Sequence, residues 1–181
     1  MKRDINYPPG DFAGRTDETI GPLRLDPPDD GAGFSDIFKN SNCRNCHFRD
    51  INVISIKHKE NGWDANNKTR QNTYKHLQLC AGGGPAVYLK DGFCNNSVDD
   101  VLIKTYAKHC DWFEGDYSST GRAKNTGNKY NSVYRLDGKP VRVRWTFFRA
   151  EKPRFTNSKI EYQYFWSFVS TVYVEVKYLF T

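Results

Sequence analysis

The clearest pattern in this sequence is a repeat in which apolar positions are separated by polar ones. Five segments begin at aligned residues and carry an apolar side chain five positions later in all of them, and two and seven positions later in four of them. Alternation with a period of two predicts β-strands with one buried face, not helices. The aligned residues, spaced by 26, 24, 35 and 26 positions, are Cys46, Asn72, Asn96, Asn131 and Asn157.

The repeats also contain a second short apolar segment, which predicts further strands at residues 86–89, 110–113, 141–145 and 171–178. One repeat of about 25 residues cannot bury its own apolar face, so neighbouring repeats must stack. The sequence therefore predicts a parallel β-solenoid of about five turns. Its buried ladders are expected to run through Phe48, Tyr74, Val98 and Val133 and through Ile51, Leu77, Val101 and Leu136.

The motif Asn-(Ser/Thr)-x-x-(Asp/Asn)-(Val/Ile/Leu), complete at Asn96 and matched except at its fifth position at Asn72 and Asn131, resembles that of the right-handed parallel β-helix family of pectate lyases, polygalacturonases and phage tailspikes. The resemblance covers residues 40–181 and implies an all-β, right-handed parallel β-helix. It carries over no catalytic residue, because no motif here matches that family residue by residue. It also implies stacked, mutually bonded amides at Asn72, Asn96, Asn131 and Asn157.

The first part of the chain differs in composition and is predicted to be an extended Pro/Gly-rich arm, residues 1–39, ahead of a β-helix domain at 40–181. Its prolines and glycines prevent a regular element of useful length. Scattered apolar residues predict that the arm binds along its own domain or a neighbouring subunit. These residues are Ile5, Tyr7, Phe12, Ile20, Leu23 and Leu25.

Composition and charge narrow the function classes. The chain has 181 residues, is 38% hydrophobic and 27% charged, and carries a formal charge of +6, which fits a globular domain and excludes disorder. No apolar window is long enough to span a bilayer, and the N-terminus lacks the apolar core of a signal peptide. We therefore predict neither a membrane partner nor an export signal.

The basic excess is concentrated between residues 117 and 160, where eleven Lys and Arg accompany two acidic residues. Such a segment could attract nucleic acid or another anionic partner, or form a solvated or subunit-facing surface. Arg142 and Arg144 alternate with Val141, Val143 and Trp145, which is the ordinary pattern of a half-buried strand. Nucleic acid is therefore not the predicted partner.

Five cysteines, an odd number, are predicted to be buried thiols rather than a disulfide framework. Cys43 and Cys46 have the spacing of a zinc knuckle, but the second knuckle of a tetrahedral site is missing. The sequence predicts no metal site and no resident cofactor. Calcium is the one ion that its carboxylates could hold.

Carboxylates stand beside aromatic residues at 60–64 and 111–117. Paired carboxylates suit glycoside hydrolysis, in which one protonates the leaving oxygen and the other activates water or attacks. The same residues could bind sugar without cleaving it, or form salt bridges with the basic segment. The catalytic candidates are Glu114, Asp116, Asp111, Asp64 and Glu60, and the candidate binding residues are Trp63, Trp112, Tyr117, Arg142, Arg144 and Arg149.

A β-helix with an arm, no export signal and no complete catalytic motif leads us to expect a virion protein of a tailed phage, made in the host cytoplasm. It would be a short spike, a fibre segment or a capsid decoration. The aromatic C-terminus predicts a homo-oligomer, by analogy a trimer. Other virion proteins and host surface polysaccharide are further expected partners. The alternative is a depolymerase, a hydrolase or lyase acting on an acidic polysaccharide attracted by Arg142, Arg144, Arg149 and Arg154.

Overall fold

A computed structural model describes residues 10–25, 37–54, 61–80, 83–105, 110–115, 123–146, 149–165 and 178–179. Every regular element in these ranges is a strand, and neighbouring strands pair in parallel with one exception. The predicted all-β class with parallel sheets is therefore confirmed. Among the described residues, no helix is long and apolar enough to cross a membrane.

The strands form two sheets, neither of which closes on itself. The first sheet consists, in order, of β1 (Gly10–Asp11), β4 (Phe38–Ser41), β6 (Trp63–Asn66), β8 (Val87–Leu89), β10 (Trp112–Glu114), β12 (Val141–Thr146), β14 (Ile160–Phe165) and β15 (Tyr178–Leu179). The second consists of β13 (Phe155–Thr156), β11 (Lys129–Arg135), β9 (Ser97–Ile103), β7 (Thr73–Leu79), β5 (His47–Val53) and β2 (Thr19–Ile20), with β3 (Leu23–Leu25) also paired to β5.

From β4 to β14 the chain alternates between the two sheets, so each strand pairs with the strand two elements later. The core lies between the sheets and is rich in aromatic rings. Trp63 on β6 meets Tyr74 on β7 with ring centroids 4.6 Å apart, and Trp112 on β10 meets Tyr130 on β11 at 5.0 Å. The inward-facing residues of both sheets therefore fill one shared interior.

The register confirms the predicted ladders over three repeats and corrects them in the fourth. Val98 pairs with Tyr130, and Val101 pairs with Val133. The sequence alignment instead matches Val133 with Val98 and Leu136 with Val101, which is three residues too late along the chain. Leu136 is 64% exposed and belongs to no ladder.

A backbone bend explains why buried positions in these strands are spaced by three residues at one point. A straight strand would place Phe48 and Ile51 on opposite faces. Between these two positions one residue per strand has a φ of 54° to 55°, in the left-handed region, and the resulting bend lets both positions face inward. The bend residues are Asp50, His76, Asp100 and Ser132.

A ladder of asparagine amides runs through the segments that precede β5, β7, β9 and β11. Oδ1 of Asn72 accepts the Cys46 N–H at 2.8 Å, and Oδ1 of Asn96 accepts the Asn72 N–H at 2.9 Å. Oδ1 of Asn128 accepts the Asn96 N–H at 3.0 Å. The predicted ladder is thus confirmed at Asn72 and Asn96, but its next member is Asn128, not Asn131.

Asn131 and Asn157 form a separate bond closer to solvent. The Asn157 Nδ2 donates to Oδ1 of Asn131 at 2.8 Å, and the Asn131 Nδ2 donates to Oδ1 of Asp99 at 2.7 Å. The sequence alignment of this repeat is shifted because the two apolar positions that follow the ladder amide, at two and five residues after it, lie three residues apart. A shift by three residues therefore still matches one apolar position.

The N-terminal segment lies along the first strands of the predicted domain. β1 pairs with β4, while β2 and β3 pair with β5. Ile20 and Leu25 are buried, and Phe12 packs against Phe38 with ring centroids 5.8 Å apart. Residues 10–25 thus add two- and three-residue strands to both sheets. The boundary between residues 39 and 40 remains a prediction.

Replacement of Val101 by Ala should lower the free energy of unfolding by about 1–3 kcal/mol, because Val101 is fully buried between Leu77 and Val133. The matched change Leu136→Ala should cost less than about 0.5 kcal/mol, since that side chain is exposed. Urea unfolding followed by circular dichroism compares the two. Equal losses would contradict the register described above.

Candidate functional site

The three sequence-predicted carboxylates that the structure describes, Asp64, Asp111 and Glu114, do not form one cluster. Glu60, Asp116 and the candidate binding residue Tyr117 lie outside the described residues. Asp64 on β6 is in register with Tyr88 and so lies on the face opposite to Glu114. Asp64 is buried. Its Oδ2 forms an ion pair with the Lys90 ammonium at 2.8 Å, and its Oδ1 accepts a hydrogen bond from the Asn66 amide at 2.8 Å.

Asp111 is the centre of a buried ion network. Its side chain is fully buried and meets the Arg135 guanidinium at 2.8 Å and that of Arg142 at 3.0 Å. The Arg142 backbone N–H donates to the same carboxylate at 3.1 Å. Arg135 also pairs with Asp137 at 2.8 Å. Of the roles that the sequence leaves open for these carboxylates, salt bridges to the basic segment are therefore the one seen at Asp111.

The two tryptophans named as sugar platforms are core residues. Trp63 and Trp112 are both 0% exposed, and their rings contact each other at 6.3 Å between centroids. The Trp63 indole N–H donates to Oδ1 of Asn40 at 2.7 Å. Neither ring presents a face to solvent. Arg144 and Arg149 are half-buried.

The Glu114 side chain lies inside the fold. Its neighbours in register on the two adjacent strands are Leu89 and Trp145. Its Oε1 accepts the Tyr130 hydroxyl and, at 3.4 Å, the Trp112 indole N–H. Burial raises the pKa of Glu114 to about 7, although the bonds from Tyr130 and Trp112 oppose that rise. Burial and the neighbouring Glu114 also raise the pKa of Tyr130 well above its usual value.

An open cleft of about 830 Å³ reaches Glu114 from outside. Glu151 lies in its wall, where Oε2 accepts the Gly127 N–H at 3.1 Å. The Lys152 ammonium lies 5.7 Å from the ring centre of Trp145 and 4.5 Å from that of Tyr162. The wall thus combines aromatic, amide, carboxyl and cationic groups, among them Glu114, Lys124, Asn125, Asn128, Tyr130, Trp145, Glu151, Lys152 and Arg154.

Three strands and two connecting segments assemble this wall, with Trp145 on β12 and residues 124–128 in the segment before β11. Glu114 belongs to β10 and Tyr130 to β11, while residues 149–154 connect β12 to β13. Sequence reasoning named Glu114 but missed Tyr130 and Glu151 as its neighbours. The signal that could have found Tyr130 is its match to Phe48 and Tyr74 in the aromatic position of the repeat.

The five cysteines form no disulfide, and four of them are buried as predicted, whereas Cys94 is half-buried. All five are free, and Cys43, Cys46, Cys80 and Cys110 are buried. Burial raises the pKa of Cys110 to about 12 and raises that of Cys43, which favours the unreactive thiol form. Within the described ranges, no group of three His, Cys, Asp or Glu side chains is placed to hold a metal ion.

Comparisons with protein-family models, with curated proteins and with solved structures give no match for this chain.

Proposed function

We propose that this chain is a right-handed parallel β-helix that serves as a structural or adhesion protein of a tailed-phage virion and binds an acidic surface polysaccharide in the cleft beside Glu114. Its place would be in a short spike, a fibre segment or a capsid decoration, as a homo-oligomer. The alternation of parallel strands between two sheets and the stacked asparagine amides support the β-helix part of the proposal.

The side chains that line the cleft support the proposal that its ligand is an acidic polysaccharide. Lys124, Lys152 and Arg154 supply three positive charges, while Glu151 supplies a negative one and Glu114 is only partly ionised near neutral pH. The balance favours an anionic ligand. Trp145 also lines the cleft but is only 6% exposed, so it contributes an apolar contact and not an open stacking face.

The size of the cleft agrees with this ligand class. A volume of about 830 Å³ lies within the range of roughly 300–1,000 Å³ that is usual for small-molecule sites. It accommodates a short stretch of a polysaccharide, and the open form allows a chain to pass through. Asn125 and Asn128 lie in the wall, and amide groups of this kind orient sugar hydroxyls.

A second function, polysaccharide cleavage, is favoured by one specific observation. Glu114, with a pKa of about 7, shares the cleft with the exposed carboxylate of Glu151. A protonated and an ionised carboxyl group are the pair that glycoside hydrolysis requires, as general acid and general base. In this alternative Glu114 protonates the leaving oxygen and Glu151 takes a proton from the attacking water.

Calorimetric titration with oligogalacturonate, an acidic sugar chain, and with a neutral glucose oligomer of equal length tests the proposal. We expect binding of the acidic oligomer alone, and the double variant K152Q/R154Q should weaken it about tenfold or more, since charge-assisted bonds contribute about 1.5–3 kcal/mol each. The matched variant K75Q, which removes an exposed charge from β7, should leave the affinity unchanged.

Equal binding of both oligomers, or binding of neither, would overturn the polysaccharide proposal. An assay for new reducing ends on the bound oligogalacturonate separates the two candidate functions. Adhesion predicts that the oligomer is recovered intact, whereas release of reducing ends that is lost in E114Q would assign cleavage to the cleft.

A further inference from the structure

The two oxygens of the Glu114 carboxyl group differ in their surroundings. Oε1 accepts both the Tyr130 hydroxyl and the Trp112 indole N–H. Oε2 has no hydrogen-bond partner among the described residues, although the side chain is 2% exposed and lines the cleft. Oε2 is not among the fully enclosed side-chain atoms that lack a partner, so it is accessible from the cleft. The free oxygen therefore marks a contact point for the ligand.

The charged and titratable groups around Glu114 come from several elements. Tyr130 faces it from β11, and burial together with the nearby Glu114 charge raises the pKa of Tyr162 on β14 to about 12. Glu151 adds a negative charge that disfavours ionisation of Glu114. The cations that share the cleft are Lys124, Lys152 and Arg154.

We propose that Glu114 binds as a neutral carboxylic acid, donating the proton on Oε2 to a carboxylate of the acidic sugar, so that binding in alkaline solution takes up one proton. The inference rests on the proposed binding of an acidic polysaccharide and names the group that selects its acid function. The cations attract the sugar chain, and Glu114 supplies a directed hydrogen bond from the wall of the cleft.

The protonation state of Glu114 determines whether the affinity for the acidic sugar rises or falls with pH. Below its pKa of about 7 the group is neutral and can donate. Above that pH it is ionised, and two carboxylates would meet in a weakly hydrated wall, where like charges repel strongly. Affinity should therefore be constant in mildly acidic solution and fall by about tenfold for each further pH unit, as one-proton coupling requires.

Calorimetry with oligogalacturonate between pH 5.5 and 8.5 measures this dependence, since the ligand itself stays ionised over that range. Repeating the titration at pH 8 in buffers of different ionisation enthalpy counts the protons taken up. We expect one proton for the natural protein. E114Q keeps an oxygen for Tyr130 and Trp112 and supplies a permanent N–H donor, so it should bind with no proton uptake and an affinity independent of pH.

Two further variants keep the test decisive. E151Q removes the neighbouring charge that raises the pKa of Glu114, so it should move the fall in affinity to lower pH even if E114Q does not fold. E18Q, which changes an exposed carboxylate outside the cleft, should retain the natural pH profile. A pH-independent affinity in the natural protein would overturn this inference and leave polysaccharide binding intact. Absence of binding at every pH would overturn the proposed function itself.

Discussion

Replacing Asn96 by Ala should lower the free energy of unfolding by about 3–5 kcal/mol, because one side chain satisfies several buried groups. Its Oδ1 accepts both the backbone N–H and the Nδ2 of Asn72, at 2.9 and 3.2 Å. Its Nδ2 donates to the Thr69 carbonyl at 3.2 Å. Each buried group left without a partner costs about 1–3 kcal/mol. Urea unfolding followed by tryptophan fluorescence measures the loss.

Asn131 provides the matched control, since sequence alone assigns it to the same ladder. It bonds to Asp99 and Asn157 near the surface, where water can replace a lost partner. Asn131→Ala should therefore cost less than about 1 kcal/mol. A loss as large as that of Asn96→Ala would show that the fourth repeat is aligned as the sequence suggests, with Asn131 in the ladder.

Asp111→Ala should also cost about 3–5 kcal/mol, since it leaves the buried Arg135 and the largely buried Arg142 without their shared carboxylate. Asp111→Asn keeps the shape of the side chain and should lose most of the same free energy, because the charge carries the interaction. Thermal unfolding at constant pH and salt measures both.

Asp137 is the matched carboxylate for this comparison. It contacts the same Arg135, but its side chain is 28% exposed. Asp137→Ala should therefore cost less than about 1 kcal/mol, as exposed ion pairs usually do. If Asp111→Asn proves as mild as Asp137→Ala, the network at Asp111 does not stabilise the fold.

The sequence predicts most of the second sheet, because its strands combine one polar and one apolar face. It does not predict β6, whose four residues from Trp63 to Asn66 are all buried. With both faces covered, the strand shows no polar–apolar alternation. The slip in the fourth repeat has a different origin, since two buried positions three residues apart make the shifted alignment almost as good as the true one.

The candidate site was predictable only in part. Alternation along β10 places Trp112 and Glu114 on one face, but no local pattern says that this face points inward. Whether a tryptophan beside a carboxylate is a sugar platform or a core residue depends on that direction. The contact of Glu114 with Tyr130 and its proximity to Glu151 arise from the stacking of successive repeats, so they follow from the register and not from local sequence.

The antiparallel strand β15 has a consequence for the ends of the molecule. It lies along the outer edge of β14, where Leu179 and Tyr178 pair with Ile160 and Glu161. An uncovered strand edge is a template on which another chain can add and extend a fibril. Here a strand of reversed direction occupies that edge at the start of β14. Ile160 and Glu161 are thus already paired on this side, so this part of β14 offers no free edge to a strand of another chain.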